Sequence, residues 1–131
     1  MNYINAVVRD RESLKNINLV SFEADEQSLK MISLELSDEI KETKKVVLGV
    51  KSTNIALAKN LQGELSISNQ LKVTIDSLSF GKLLCSVKFM FADAMQESVI
   101  TKSSAERMNL QVGDEIIALI KSSDLSIVEV L

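Results

Sequence analysis

Two stretches seventy residues apart set the terms for this chain: Val50-Lys51-Ser52-Thr53-Asn54-Ile55 and Ile120-Lys121-Ser122-Ser123-Asp124-Leu125. In each, an apolar run ends in Lys-Ser and passes through a small polar turn into another apolar segment. The order of elements before each stretch also agrees, so the chain reads as two copies of one short module. The seam falls in the polar segment around Gly63, which gives modules at 1–62 and 63–131. A chain of 131 residues divided this way leaves each half marginal by itself, because small modules bury little surface. The halves then need each other or a partner chain, and a homodimer or higher closed assembly is expected.

Hydrophobic periodicity gives the element types. In the second half, Leu65 to Ser79 alternates apolar and polar residues, with a slip of phase near Asn69-Gln70 that suggests a bulge. Leu83 to Phe91 alternates again, and Ser98 to Thr101 is a short strand. Lys102 to Leu110 reads as a brief helix with Ser103 or Ser104 as its cap and Asn109 closing it. Glu115 to Lys121 is an apolar run suited to a strand buried on both faces, and Leu125 to Val130 is a last strand. The first half repeats this order in shorter form: strands near Ile4–Val8, Ile17–Phe22 and Leu29–Leu34, a polar helix near Ser37–Glu42, then Val46–Lys51 and Ile55–Leu57. Five short strands with one helix between the third and fourth is the order of an OB-like barrel. The expected fold class is all-β, with two tandem OB-like small barrels.

Composition narrows the chemistry. The 46% hydrophobic and 25% charged residues describe an ordinary globular chain. A formal net charge of −3, a pI near 5.0 and only 4% aromatics argue against an OB-type nucleic-acid binder, which needs basic surface and stacking platforms. Histidine is absent and Cys85 is the single cysteine. The commonest general base and metal ligand are therefore missing, and no nucleophile stands beside an activating base. The expectation is a protein that is not an enzyme and holds no metal. Neither a secretory signal nor a long apolar run is present, so a cytoplasmic, non-membrane location is expected.

Three polar stretches could hold an anion. The junction Thr101–Ser104 offers hydroxyls and backbone N–H groups at a helix start, although a plain capped helix explains the same residues. Lys121-Ser122-Ser123 adds a cation and hydroxyls after a buried strand; its bland reading is a solvated strand end. Ser66-Ile67-Ser68-Asn69-Gln70 adds donors at the expected kink, where small polar residues also suit a bulge. Together they supply neutral donors and a cation with no opposing carboxylate, as a tetrahedral dianion requires. Arg107 is a second candidate cation, with ordinary surface exposure as its alternative. Cys85 reads as core, and Asp38-Glu39 and Asp114-Glu115 as solvated pairs.

With those stretches in view, the second half resembles the molybdate-binding Mop or TOBE family of small OB-like modules. The family opening, Ser-Ala-Arg-Asn-Gln and an apolar residue, is similar to Ser66-Ile67-Ser68-Asn69-Gln70-Leu71. The family's middle is similar to Ile100-Thr101 followed by Ser103-Ser104 and Leu110-Gln111-Val112-Gly113. Its closing strand is similar to Ala118-Leu119-Ile120-Lys121-Ser122-Ser123-Asp124. The first half resembles a diverged copy that keeps Asn5 at its opening and Lys51-Ser52 at its close. What the resemblance implies is intracellular binding of molybdate or tungstate between modules or subunits, for buffering, storage or sensing. The residues it implies are Ser66, Ile67, Ser68, Ser104, Arg107, Lys121 and Ser122, with Lys51 and Ser52 in the first copy. The family's opening Arg is Ser68 here, which removes a planar cation suited to oxyanions. A regulatory or interaction module with weak or lost anion binding is the alternative.

Overall fold

A computed structural model describes all of residues 1–131. Ten strands form: β1 (Asn2–Leu14), β2 (Ile17–Ala24), β3 (Gln27–Ser33), β4 (Lys45–Val50), β5 (Ala56–Ala58), β6 (Asn69–Phe80), β7 (Leu84–Phe91), β8 (Ala94–Thr101), β9 (Glu115–Ile120) and β10 (Ser126–Val130). The one α-helix, α1, is Lys102–Arg107, and 3₁₀ turns occupy Ser52–Asn54 and Ser122–Asp124. The strands alternate as the sequence requires: Ile4, Ala6 and Val8 of β1, and Leu71, Val73 and Ile75 of β6, face inward and are buried. Two-residue turns with positive φ, Asp25-Glu26 and Ala92-Asp93, join β2 to β3 and β7 to β8. Their handedness matches the twist of the strands they connect.

The repeat is exact in register. Asn2 pairs with Val50 and Ile4 with Leu48; Asn69 pairs with Ile120 and Leu71 with Ala118. Even the irregularity is repeated, between Val8 and Asp10 in β1 and between Ile75 and Ser77 in β6. The bulge of the second half therefore sits at Asp76 and not at the expected Asn69-Gln70, and residues 65–68 lie outside the strand. The register also makes Asn2, not Asn5, the counterpart of Asn69.

The all-β, OB-like expectation holds, with one feature that periodicity could not show. The sheets run β10-β4-β1-β2-β3 and β5-β9-β6-β7-β8. Each sheet thus takes its final strand from the opposite half, and the two halves exchange β5 and β10. The expectation that each half closes its own five strands is corrected accordingly. One continuous core joins the halves, from Ile4, Phe22 and Leu48 to Leu71, Phe89 and Ile116.

The helix expected near Ser37–Glu42 does not form; the segment between β3 and β4 is a series of turns. Equivalent positions are 67 residues apart through β3 and β8 (Lys30 and Glu97) but 70 apart from β4 and β9 onward (Val50 and Ile120). The first-half connection is three residues shorter, too short for the helix and its exit. Arg11 holds it instead, donating to the carbonyl oxygens of Ser37 at 2.8 Å and Ile40 at 3.1 Å. In the second half α1 is capped by Thr101, whose Oγ1 accepts the N–H of Ser104 at 3.1 Å. That corrects the expected cap, while Asn109, at φ 49°, does close the helix in the left-handed region.

Candidate functional site

Strand exchange decides which polar groups meet. Because β10 leaves for the first sheet, the 3₁₀ turn at Ser122–Asp124 that precedes it packs against β3. Ser122 and Ser68 then share a cleft of about 320 Å³ with Lys30 and Ser21. Two of the three predicted stretches therefore converge, onto a cation from the first half that sequence reasoning missed. Asp10 and Glu12 line the same cleft, which corrects the expectation that no carboxylate would oppose an anion. The buried carboxamide of Asn69 fixes the geometry: it accepts the N–H of Lys30 at 2.6 Å and donates to the carbonyl oxygen of Lys30 at 2.9 Å. Asn69, the asparagine of the resemblance's opening pattern, thus clasps a strand edge.

The remaining second-half candidates stand apart. Lys121 and Ser66 are exposed; the carbonyl oxygen of Lys121 accepts the N–H of Asp124 at 2.9 Å, and neither side chain makes an internal hydrogen bond or ion pair. Ile67 is half-buried, and its carbonyl oxygen accepts Nε2 of Gln70 at 2.9 Å. Ser104 Oγ lies 2.9 Å from Thr101 Oγ1 and 3.5 Å from Arg107 Nη2. This group at the start of α1 does not line the cleft of Ser68 and Ser122, so the third stretch does not join it within one chain. Asp114, read from the sequence as solvated, pairs with Lys59 at 3.1 Å.

A pseudo-equivalent place exists in the first copy. Asn2 grips β8 as Asn69 grips β3, accepting the N–H of Glu97 at 2.7 Å and donating to its carbonyl oxygen at 2.8 Å. Ser52, the counterpart of Ser122, donates to Glu97 Oε1 at 3.1 Å, and Ser86 donates to Oε2 at 2.5 Å. The Ser86 hydroxyl, aided by Ser52 and Lys88, holds the Glu97 carboxyl below the ordinary glutamate value. Lys51 is exposed and unpaired. The signal that could have revealed both places was an asparagine opening each first strand, obscured by alignment to Asn5.

No group of three or more His, Cys, Asp or Glu side chains is placed to hold a metal. Cys85 is fully buried, and burial pushes its thiol up, as befits a core residue. No helix is long and apolar enough to cross a membrane.

The fold and its two asparagine-gripped strand edges define a tandem OB-like β protein with two related polar places at the junction of its halves. Residues 65–127, just under half of the chain, match the TOBE domain. Over 92 residues it is 30% identical to the molybdenum import ATP-binding protein ModC of Brucella abortus (strain 2308), covering 69% of this chain and 26% of that protein. The ModC of Brucella suis biovar 1 (strain 1330) matches to the same extent. The chain thus spans about a quarter of the length of these curated relatives. In structure it is similar to the cytoplasmic molybdate-binding protein ModG in a crystal form with molybdate bound: TM-score 0.89, 21% identity, 96% of this chain and 94% of that one.

Proposed function

We propose that this chain is a cytoplasmic binder of molybdate-type oxyanions that buffers, stores or senses the ion without making or breaking a bond. One observation carries the reading: the fold matches along nearly its full length, at a TM-score of 0.89, a protein described as binding molybdate. The Lys30 cleft supports it, with one ammonium and the hydroxyls of Ser68, Ser122 and Ser21 in a single concavity. A tetrahedral dianion is held by such directional donors around a cation. Tungstate, of the same shape and charge, is proposed as a second ligand.

The modules at 1–62 and 63–131 act as one unit in this reading. Lys121, Ser66 and Lys51, whose side chains have no internal partner, and the Ser104–Arg107 pair at the start of α1 are proposed to complete sites against a second copy, so a homodimer or higher homo-oligomer is proposed, with no nucleic acid or membrane partner. Several large apolar side chains remain exposed on the outer faces of the hairpins, among them Leu19, Ile32, Met90 and Met95, as such an assembly requires.

Calorimetry on the purified protein with molybdate, tungstate and sulfate tests the reading. Heat with the first two, abolished by Lys30→Glu, is expected. No heat with any of the three overturns it and leaves an interaction or regulatory module in its place.

A further inference from the structure

Lys30 and Glu97 occupy the same position in the two copies. Each is gripped through its own backbone N–H and carbonyl oxygen by an asparagine, Asn69 or Asn2, that opens the first strand of the other copy. Beside each lies the 3₁₀ turn carrying Ser122 or Ser52. The backbone frame is shared and the side-chain charge is reversed. From these paired positions we propose that the Glu97 carboxylate is the resident anion of the place beside Ser52, so that the chain admits an external oxyanion only at Lys30.

The donors around Glu97 make the case. Ser52 and Ser86 each turn a hydroxyl onto a different carboxylate oxygen, at 3.1 Å and 2.5 Å, and Lys88 adds positive potential. Two hydroxyls on a negative group, with a cation on the neighbouring strand, are the elements of an oxyanion site, here filled from within. The counterpart of Ser86 is Leu19 and that of Lys88 is Ser21, and although Asp10 and Glu12 line the Lys30 cleft, neither carboxylate takes a hydrogen bond from Ser68 or Ser122 or pairs with Lys30, so the donors there are not occupied from within. Lys30 makes no ion pair, and the hydroxyls of Ser68 and Ser122 make no internal hydrogen bond. An external dianion approaching Ser52 meets a fixed negative charge that already holds its donors, and a tethered group outcompetes a dilute one.

This inference rests on the oxyanion reading given above, and its test separates the two. Molybdate stoichiometry is measured by calorimetry for the full chain and for Lys30→Glu, Glu97→Lys and the double variant, each checked for folding by circular dichroism. One ion per chain is expected for the unaltered protein, none for Lys30→Glu, two for Glu97→Lys and one for the double variant. A folded Glu97→Lys that takes up no more than the unaltered chain overturns the inference alone. An unaltered chain that binds nothing, while Glu97→Lys binds one ion, overturns the Lys30 reading and sustains the inference; no binding by either overturns both. Should Glu97→Lys fail to fold, the near-isosteric Glu97→Gln is used, and a second, weaker binding event is expected. In a separate measurement, carboxyl-carbon NMR of the unaltered chain should show the Glu97 signal unmoved at saturating molybdate; displacement of that signal overturns the inference.

Discussion

The side-chain amide of Asn69 forms a closed pair of hydrogen bonds with the backbone of Lys30, 39 residues earlier in the chain and in the opposite sheet. It stands in for a strand partner at the edge of β3, and it is fully buried. The same residue therefore fastens the halves together and sets the position of the cation in the proposed site.

Removing that amide should cost both properties. Asn69→Ala leaves a backbone N–H and a carbonyl oxygen without partners in a buried place, a loss of about 2–3 kcal/mol. Urea unfolding should show it as a lower midpoint, with Asn2→Ala comparable because Asn2 makes the equivalent pair. Only Asn69→Ala should also weaken molybdate binding, since only its partner carries the cation.

Thr43 and Gly113 occupy equivalent turns, with φ values of 73° and 92°, and each donates its N–H to the bulged region of the neighbouring strand, Val8 or Ile75. A β-branched residue in this conformation is strained by about 1–3 kcal/mol. Glycine relieves it but adds about 0.4–1 kcal/mol of unfolded-state entropy. Thr43→Gly should therefore be net stabilising by about 1 kcal/mol, seen as a Tm higher by a few degrees, whereas Gly113→Thr should lower it.

The exchanged strand β10 lies on β4 at a point where Gly49 leaves room for Val128. A Cβ at Gly49 would stand 2.7 Å from Val128 Cγ1, an overlap that costs about 1–3 kcal/mol when packed groups cannot shift. Gly49→Ala should destabilise the protein, and Val128→Ala added to it should restore most of the loss. A double-mutant cycle showing no coupling would mean that β10 does not rest there.

Two carboxyls make stability acid-sensitive. Glu97 is held below its ordinary value near 4.5 chiefly by the Ser86 hydroxyl, and Asp114 below its ordinary 3.8 chiefly by the N–H of Gln111, with Lys59 adding to it. A carboxyl that titrates lower in the folded chain binds fewer protons there than when unfolded, so its contribution is complete above the ordinary value and drains away as pH falls through the folded one. Unfolding free energy should drop as pH is lowered from about 4.5. Glu97→Gln and Asp114→Asn should each flatten that slope, measured by denaturant titration across the acid range.

Local residue patterns determined much of this protein. The alternation Ile4-Ala6-Val8 fixes a strand and its buried face, and Thr101 to Asn109 carries both ends of α1, because these preferences act within a few residues. The Lys-Ser turns at 51–52 and 121–122 announced the repeat by the same local means. The helix expected at Ser37–Glu42 shows the limit: its composition permits a helix, but the connection is three residues too short and Arg11 claims the carbonyl oxygens. What only the tertiary structure decided is partnership. Alternation tells a strand which side to bury and nothing about its neighbour, so the crossing of β5 and β10 could not be read from either. That crossing brings Ser122 to Lys30 and Ser52 to Glu97, so each Lys-Ser turn meets a charge contributed by the other half of the chain.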